Sequence, residues 1–336
     1  MEKHSRILVA GSQTLAGKAI QRQLVQQGYT NFVDESGGAS DLNDSAQVDT
    51  LFTDSSPEYV FLAAGKSGGI AANQKNPASL MIDNLSVVCN VIGTAHRHGV
   101  KKLLYLASSC CYPRECPQPM NVDSLFSGPL EPTNAAYATA KLAGVRLCEA
   151  YRQQYGSNFV PVIPANEFGP GDHFSLEDSH VIPALLRKMY EAKLSGAESV
   201  AIWGTGTPQR EFIFVDDMAD ACIFVMREYD GSRPINIGGD SALSIKELAE
   251  LIKQVVDYQG RLSFDTSRPD GMPIKMLDSS ELMTLGWQPK TKLLDALSIT
   301  YEWWSGGQHF NVESDTPSYE GSGVGERTGR AEDETG

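Results

Sequence analysis

The sequence predicts an α/β fold, in which a doubly wound parallel sheet with helices on both faces is joined to a smaller C-terminal α/β lobe. Two patterns support this prediction. Short β-branched or aliphatic runs alternate with longer helical stretches through the first half of the chain, which is typical of βαβ units. The alternation loosens after residue 165, so we expect a second, smaller unit from residue 166 to Trp304.

Each element is predicted from its length and apolar pattern, because strands are usually shorter than buried helices. In the first half the predicted strands are Arg6–Ala10, Tyr59–Ala64, Lys102–Ser108 and Phe159–Pro164, and the predicted helices are Leu15–Gln27, Ala78–His98 and Ala135–Tyr155. In the second half the predicted helices are Val181–Ala192, Asp216–Arg227 and Ser244–Val256, and the predicted strand is Val200–Trp203. Residues 305–336 are expected to form a disordered tail, because their composition offers too little apolar surface to offset the entropy of ordering.

Charge and composition narrow the class of function. The net charge of −14 argues against nucleic acid as a partner, because binding a phosphate backbone needs a positive surface field. No uninterrupted apolar run approaches the roughly 20 residues that span a bilayer, so we expect no membrane segment and a cytoplasmic location. The six cysteines lack the spacing of a zinc site or a disulfide framework, so no metal is expected.

A glycine-rich turn follows the first predicted strand. Gly11-Ser-Gln-Thr-Leu-Ala-Gly17 opens a helix, where backbone amides at the helix N-terminus can meet a pyrophosphate. Alone, this turn is equally compatible with an ordinary bend between a strand and a helix. The small residues Ala63, Ala64 and Gly65 at the end of a later strand would let a dinucleotide lie across the sheet edge. Together they predict a Rossmann-type dinucleotide-binding domain in residues 1–165.

A tyrosine and a lysine are spaced for proton transfer. Tyr137 and Lys141 lie one helical turn apart on one face of a predicted helix. A nearby ammonium would favour the phenolate, so that Tyr137 can pass a proton to or from a substrate oxygen. An isolated pair would be interpreted as an exposed helix face. Ser108, however, ends an earlier strand where its hydroxyl can bind the same oxygen, and the joint pattern indicates a dehydrogenase or reductase.

Several runs carry a closer resemblance. They are Ser108-Ser-Cys-Cys-Tyr-Pro113, Leu130-Glu-Pro-Thr-Asn134, Tyr137–Lys141, Ser179–Arg187 and Trp203–Phe212. Over residues 5 to 304 the chain resembles the GDP-L-fucose synthase family of extended short-chain dehydrogenases/reductases. The resemblance implies conversion of GDP-4-keto-6-deoxymannose to GDP-L-fucose by C3/C5 epimerisation and C4 reduction, with NADP(H) as cofactor. It also implies a homodimer joined in a four-helix bundle by the helices corresponding to Ala78–His98 and Ala135–Tyr155.

The resemblance assigns roles to individual residues. Cys110 and His180 match a base and an acid on opposite faces of the sugar ring, where the 4-keto group acidifies the hydrogens at C3 and C5. Ser108, Tyr137 and Lys141 would serve the reduction. The residues matched to the GDP-sugar are Lys188, Trp203, Arg210 and Arg261. The residues expected at the cofactor are Gly11, Gln13, Thr14, Gly17, Asp34, Ala63, Ala64, Gly65, Lys141, Asn166 and His180. Structural roles are the alternatives. Cys110 would then be an inert buried thiol, His180 would form a hydrogen bond within its loop, and Arg210 would form a surface salt bridge.

Three departures from the family pattern lie at the cofactor end. Thr14 replaces the middle glycine of the turn, where its Cβ would narrow the approach of a phosphate, and Gln13 stands where the family usually has arginine. The segment Val33–Gly38 lacks a second arginine. Asp34 in that segment would instead accept hydrogen bonds from a ribose diol and repel a 2′-phosphate. NAD(H) is therefore a serious alternative to NADP(H).

We therefore expect an epimerase/reductase whose residues 166–304 mainly bind substrate, with some crossing of the chain between the two units. Three alternatives stay open. One is a related enzyme for another GDP-deoxysugar, and another is a sugar-nucleotide-binding protein with impaired cofactor binding. The third is an epimerase that retains NAD without net consumption.

Overall fold

Short buried strands form the framework of the chain in a computed structural model, which describes residues 1–33, 40–176, 179–239, 241–268 and 270–306. In chain order the strands are β1 (Ile7–Ala10), β2 (Tyr59–Leu62), β3 (Lys102–Leu106), β4 (Phe159–Pro164), β5 (Asn166–Phe168), β6 (Ser199–Trp203), β7 (Gln209–Phe214), β8 (Ile235–Ile237), β9 (Ala242–Ser244), β10 (Arg261–Asp265) and β11 (Ile274–Lys275).

Most helices are preceded by a polar N-cap residue, and one begins with proline. They are α1 (Leu15–Gln26), α2 (Ser45–Ser55), α3 (Ile70–Lys75), α4 (Pro77–Arg97), α5 (Ala135–Tyr155), α6 (Val181–Ser195), α7 (Val215–Glu228), α8 (Ile245–Val256), α9 (Ser280–Thr284) and α10 (Leu293–Ser305). Asp44 caps α2, Ser244 and Glu247 form a capping box on α8, and Pro77 opens α4. These local signals place the helix starts.

The large sheet contains five strands in the order β1-β2-β3-β4-β8, all parallel. A single bridge from Ile7 to Phe32 extends its β1 edge. Its helices pack in two groups, α1 against α7 and α4 against both α2 and α5. The predicted doubly wound parallel sheet is therefore confirmed, and its strands read as continuous apolar runs because both faces are covered.

Two smaller sheets make up the second unit. Strands β5, β7 and β11 pair in parallel, and β9 joins β7 antiparallel, while β6 pairs in parallel with β10. Helices α6, α8 and α10 surround a second apolar core that includes Leu186 and Ile252. The C-terminal α/β lobe is thus present, and it is assembled from segments that leave and re-enter the first unit.

At two points the chain crosses between the two units with almost no connecting loop. Only Ala165 separates β4 of the large sheet from β5 of the small sheet. Strand β7 of the small sheet runs directly into α7, which packs on α1 of the large sheet. The carboxyl end of the large sheet therefore lies against the small sheets, which is where open α/β sheets bind ligands.

Helix α4 is apolar enough to cross a membrane by length and composition, although polar residues such as Asp83 and Asn84 interrupt its sequence. Half of its most apolar window is buried inside the protein, where α4 packs against α5. A helix that packs in a protein core can be as long and as apolar as a membrane-spanning helix, so length and composition alone are weak evidence for a span.

Helix α5 packs unusually close to β3. A Cβ at Gly144 would lie 2.5 Å from the ring of Tyr105, so a larger residue there would push the helix away. The Tyr105 hydroxyl donates a hydrogen bond to the carbonyl oxygen of Lys141 at 3.1 Å. This close contact fixes the first turns of α5 beside the end of β3, where the predicted catalytic residues lie.

Candidate active site

A cavity of about 330 Å³ lies where the turn after β3 meets β5, β7, β11 and the start of α6. Its walls bring together many of the residues that the sequence singles out. The predicted residues among its lining are Cys110, Asn166, His180, Lys188, Trp203 and Arg210. The lining also includes residues to which no role was assigned from the sequence, among them Glu131, Asn134, Glu167 and Lys275.

The Cys110 thiol stands in a polar pocket. Ser108 caps a short helical turn over Ser109–Cys111, and its hydroxyl accepts a hydrogen bond from the Cys110 amide at 3.2 Å. Cys111 is fully buried in the core, whereas the Cys110 side chain lines the cavity, as adjacent residues pointing apart would require. The Cys110 Sγ accepts hydrogen bonds from Asn134 Nδ2 at 3.2 Å and from Lys275 Nζ at 3.4 Å.

The surroundings of Cys110 stabilise its thiolate. Burial alone would raise the pKa of this thiol, but the ammonium of Lys275 and hydrogen bonds from Ser108, Lys275 and Asn134 lower it below its ordinary value. A thiolate, not a thiol, is the reactive form of cysteine. By contrast, burial raises the pKa of Cys111 to about 12. The two neighbouring cysteines are therefore chemically distinct.

His180 lies at the N-terminal cap of α6 and is exposed to the cavity. Desolvation by the surrounding protein lowers the pKa of its imidazole, and the ammonium of Lys275 lowers it further. Lys275 thus acts electrostatically on both Cys110 and His180. The structure brings these two predicted acid–base residues to one cavity.

Ser108, Tyr137 and Lys141 lie directly behind Cys110. The Tyr137 phenol is hydrogen-bonded to the Ser108 side chain, and Lys141 Nζ donates to the Leu106 carbonyl oxygen at 3.1 Å. The sequence led us to expect a phenolate at Tyr137. Burial and the nearby thiols instead raise the pKa of Tyr137, so the phenol is protonated in this structure. A protonated phenol can donate its proton to an alkoxide, and the reduction of a keto group requires such a proton donor.

The glycine-rich turn is closed tightly around its own backbone. A Cβ at Gly17 would lie 2.0 Å from the Gly11 carbonyl oxygen, and one at Gly11 would lie 2.5 Å from Ala64. Thr14 caps α1, since its hydroxyl accepts from the Gly17 amide at 3.0 Å. The same oxygen lies 2.8 Å from the Gly11 carbonyl and 3.1 Å from that of Ala63. The Thr14 hydroxyl therefore bonds to the protein, and the first turn of α1 carries no acidic residue that would repel a phosphate.

The other residues predicted to bind the cofactor are spread along this edge of the sheet. A Cβ at Gly65, which follows β2, would lie 3.5 Å from Lys141 Nζ, so this end of β2 adjoins the predicted catalytic residues. Asn166 Nδ2 donates to the Glu211 carbonyl oxygen at 2.8 Å, and Gln13 is exposed. Asp34, which supported the NAD(H) alternative, lies outside the described residues.

The far end of the cavity presents an aromatic ring between two cations. Trp203 is 45% exposed, with Lys188 Nζ 5.5 Å and the Arg268 guanidinium carbon 4.8 Å from its ring centroid. Arg210 is anchored at 2.8 Å to the Gln209 carbonyl oxygen and at 3.3 Å to that of Asp270. The alternative interpretation of Arg210, a surface salt bridge, is not among its contacts in the described chain.

The structure does not bring Arg261 to the cavity. Its side chain is 83% exposed and stands 3.8 Å from Glu198 at the start of β10, where the strand carries it away from Trp203. Arg268, in the turn after β10, occupies the position at the indole. Arg261 was matched from the family resemblance, and Arg268 was given no role. Which arginine meets the indole depends on where β10 ends, and the sequence does not show that end.

Two contacts of Cys110 were missed from the sequence. Asn134 lies in one of the family-like runs, and Lys275 lies outside all of them, but neither was given a role. Proximity of Asn134 to Tyr137 in sequence was an available signal. Lys275 is 165 residues from Cys110, and only the pairing of β11 with β7 brings it close.

The chain is similar in sequence and structure to several known proteins. The family model described as NAD dependent epimerase/dehydratase matches residues 7–238. GDP-L-fucose synthase 1 of Arabidopsis thaliana is 50% identical over 303 residues, which cover 90% of this chain and 94% of that protein. The solved structure of a GDP-mannoheptose C4 reductase from Campylobacter jejuni with NADP bound gives a TM-score of 0.84 at 36% identity, covering 91% of this chain and 99% of that one. A GDP-L-fucose synthetase from Naegleria fowleri bound to NADP gives 0.83 at 28% identity, covering 91% and 95%.

The chain therefore belongs to the NAD dependent epimerase/dehydratase family, the class of enzyme that its dinucleotide turn and its Tyr137–Lys141 pair define on this fold. The resemblance found in the sequence is confirmed as well. Within that class the chain groups with the GDP-L-fucose synthases.

Proposed function

We propose that this protein converts GDP-4-keto-6-deoxymannose to GDP-L-fucose, by epimerisation at C3 and C5 followed by reduction of the 4-keto group. The observation that carries this proposal is the placement of Cys110 and His180 in one cavity, immediately in front of Tyr137 and Ser108. A reductase alone would need only the second pair. The curated relatives at 45–50% identity named as GDP-L-fucose synthases support the same substrate.

The nucleotide end of the substrate fits the rim formed by Trp203, Lys188 and Arg268. The half-exposed indole offers a face on which a guanine base can stack. The two cations beside it are suited to the negative charge of a pyrophosphate. Arg210, held by two carbonyl oxygens deeper in the cavity, would meet the sugar-linked phosphate or the sugar itself.

Epimerisation needs one group to remove a proton and another to return one from the opposite face. The 4-keto group of the substrate makes the hydrogens at C3 and C5 acidic, because the charge left on carbon is delocalised onto the keto oxygen. Cys110 and His180 face the same cavity. The lowered pKa of Cys110 favours the thiolate, which is a base, and the lowered pKa of His180 makes its imidazolium a stronger acid. Their positions suit an acid–base pair acting on a ring between them.

Reduction then requires a proton for the C4 oxygen. Tyr137 carries that proton on a phenol whose pKa burial raises, and Ser108 holds the phenol in place. Lys141 is fixed by Leu106 and Tyr105 one turn away on α5. The dinucleotide, when bound, supplies the hydride. The residues that would hold it are Gly11, Thr14, Gly17, Ala63, Ala64 and Gly65, around a turn so tight that a Cβ at Gly17 would fill it.

We propose NADP(H) as the preferred cofactor. Relatives of this fold, including the Naegleria fowleri and Campylobacter jejuni proteins, were solved with NADP. Thr14 does not oppose this choice, because its hydroxyl is occupied by the loop itself.

We further propose a homodimer joined by α4 and α5, and a cytoplasmic location. The two helices lie side by side, and Ile82 on α4 is 60% exposed, so that a partner covering this face would bury its apolar side chain. All six cysteines lie in the described part of the chain and each is a free thiol, as suits a reducing compartment. Sedimentation of the purified protein at several concentrations tests the dimer, and Ile82→Glu should shift it to monomer.

The test of function mixes the purified protein with GDP-4-keto-6-deoxymannose and NADPH or NADH, following loss of reduced-cofactor absorbance and identifying the sugar. GDP-L-fucose formed faster with NADPH is the expected result. Oxidation that yields only an unepimerised sugar would contradict the proposal and indicate a C4 reductase. Binding without turnover would indicate a different sugar or a binding protein.

A further inference from the structure

Lys275 is a buried ammonium with an unusual partner. It is 9% exposed, and the strand β11 that carries it pairs in register with β7, so that Lys275 lies beside Arg210. Its neighbour Ile274 points the other way and is 40% exposed. Within the described chain, the hydrogen bond recorded for the Lys275 ammonium goes to Cys110 Sγ, at 3.4 Å.

A buried cation is costly unless a negative charge compensates for its lost hydration. A neutral thiol is a weak acceptor and compensates for little, whereas a thiolate carries a full charge at the same position. Glu211, the nearest carboxylate along β7, is directed elsewhere, since its Oε2 accepts from the Leu277 amide at 2.8 Å. The arrangement is therefore most stable with sulfur ionised.

The other groups around the Cys110 sulfur either add to the preference for the thiolate or leave it unchanged. Asn134 donates to the sulfur from the loop before α5, and Arg210 adds a second positive charge from β7. On the sulfur's own turn and on α5, Cys111 and Tyr137 both have raised pKa values and stay neutral. From the start of α6, His180 has a lowered pKa and adds little positive charge. Glu131 lies in the same wall, in electrostatic contact with Arg210.

We propose that Lys275 is a positioning residue that holds Cys110 as the thiolate, and so makes Cys110 the group that removes protons during epimerisation. The chemistry rests on the proposed function. In each removal the C–H bond breaks, an S–H bond forms, and the electron pair passes to the keto oxygen as an enolate. His180 returns a proton to the opposite face from its imidazolium form, which the lowered pKa makes a stronger acid, and is left as neutral imidazole. Cys110 then loses its proton to water and His180 takes one up before the next carbon reacts.

The first experiment titrates the thiol without any sugar nucleotide. Iodoacetamide labelling of Cys110 is measured against pH by mass spectrometry of its peptide, which separates it from exposed Cys89. In the wild type the midpoint should lie below the ordinary thiol value of about 8.5. Lys275→Met should raise the midpoint by about one pH unit or more, with about tenfold slower labelling at neutral pH. Lys275→Arg should restore most of the shift, and Ile274→Ala on the same strand should leave it unchanged.

The second experiment follows the reaction in deuterium oxide. Deuterium incorporation at C3 and C5 of the sugar should fall about tenfold in Lys275→Met at neutral pH and recover as the pH is raised, because the thiolate then forms unaided. A merely structural role would not give this recovery. An unshifted thiol titration in a folded Lys275→Met variant would overturn the inference. If that variant does not fold, a wild-type midpoint at or above about 8.5 overturns it equally.

The experiments distinguish failure of the proposed function from failure of the proposed role of Lys275. A lowered thiol midpoint without turnover of the sugar nucleotide would refute the proposed function and leave the role of Lys275 intact. Turnover to GDP-L-fucose with an ordinary thiol midpoint would do the reverse.

Discussion

Replacing Thr14 by alanine should loosen the dinucleotide turn from within. The Thr14 hydroxyl caps α1 through the Gly17 amide and donates towards the carbonyl oxygens of Gly11 and Ala63. Loss of a threonine N-cap costs about 1 kcal/mol, and loss of the donated hydrogen bond costs about 1 kcal/mol more. The free energy of unfolding should therefore fall by about 2 kcal/mol, which urea denaturation followed by circular dichroism will measure.

The same substitution decides whether Thr14 helps or hinders the cofactor. A steric reading, in which the Thr14 Cβ narrows the approach of a phosphate, predicts that Thr14→Ala or Thr14→Gly binds NADPH more tightly. The hydrogen bonds predict weaker binding, because the turn is no longer held in one conformation. Thr14→Ser keeps the hydroxyl and serves as the matched control, with near wild-type stability and affinity. Tighter NADPH binding by Thr14→Gly in isothermal titration calorimetry, or an unchanged urea midpoint in Thr14→Ala, would refute the reasoning.

Three further outcomes are expected. Tyr137→Phe should slow NADPH oxidation by about a hundredfold or more while deuterium exchange at C3 and C5 continues, which separates reduction from epimerisation. Burial raises the pKa of Glu211 to about 7, so the stability this group provides is present below its ordinary value and is lost as pH rises through about 7. As the pH rises from about 5 to about 8, Glu211→Gln should therefore become more stable relative to wild type, by on the order of 2 kcal/mol in urea melts. A stability difference between the two proteins that does not change with pH would contradict this. Buried Lys102 donates to the Val225 carbonyl at 3.0 Å, and Lys102→Met should lower the free energy of unfolding in urea melts by about 1–3 kcal/mol, whereas exposed Lys246→Met should not.

Much of the large sheet could be predicted from the sequence. Helix α5 and strand β4 have the predicted bounds. Strand β1 begins one residue later than predicted, and β2 and β3 each end two residues earlier. These strands are buried on both faces, so their apolar runs are unmistakable. The helices between them are long enough for an amphipathic period to show. Local sequence and tertiary structure agree in this half of the chain.

The second unit could be predicted only in part. Strands β5, β9 and β11 contain three residues or fewer, too few for any period to appear. In the first unit, helix α2 was missed because its Ser-, Asp- and Thr-rich sequence resembles a loop, and its Asp44 cap was overlooked. The contact between Lys275 and Cys110 depends on β11 pairing with β7, and no local pattern encodes a pairing between segments so distant in sequence.

The passage from β4 to β5 through Ala165 alone also bears on how the molecule can move. A hinge between lobes needs a few residues able to absorb a large change in backbone angles. Neither this passage nor the direct run of β7 into α7 provides them. The protein should therefore scatter X-rays almost identically with and without its ligands. Substrate entry would then depend on side chains and surface loops at the cavity mouth, and the distances between groups on the two lobes, such as Cys110 and Lys275, would persist throughout the catalytic cycle.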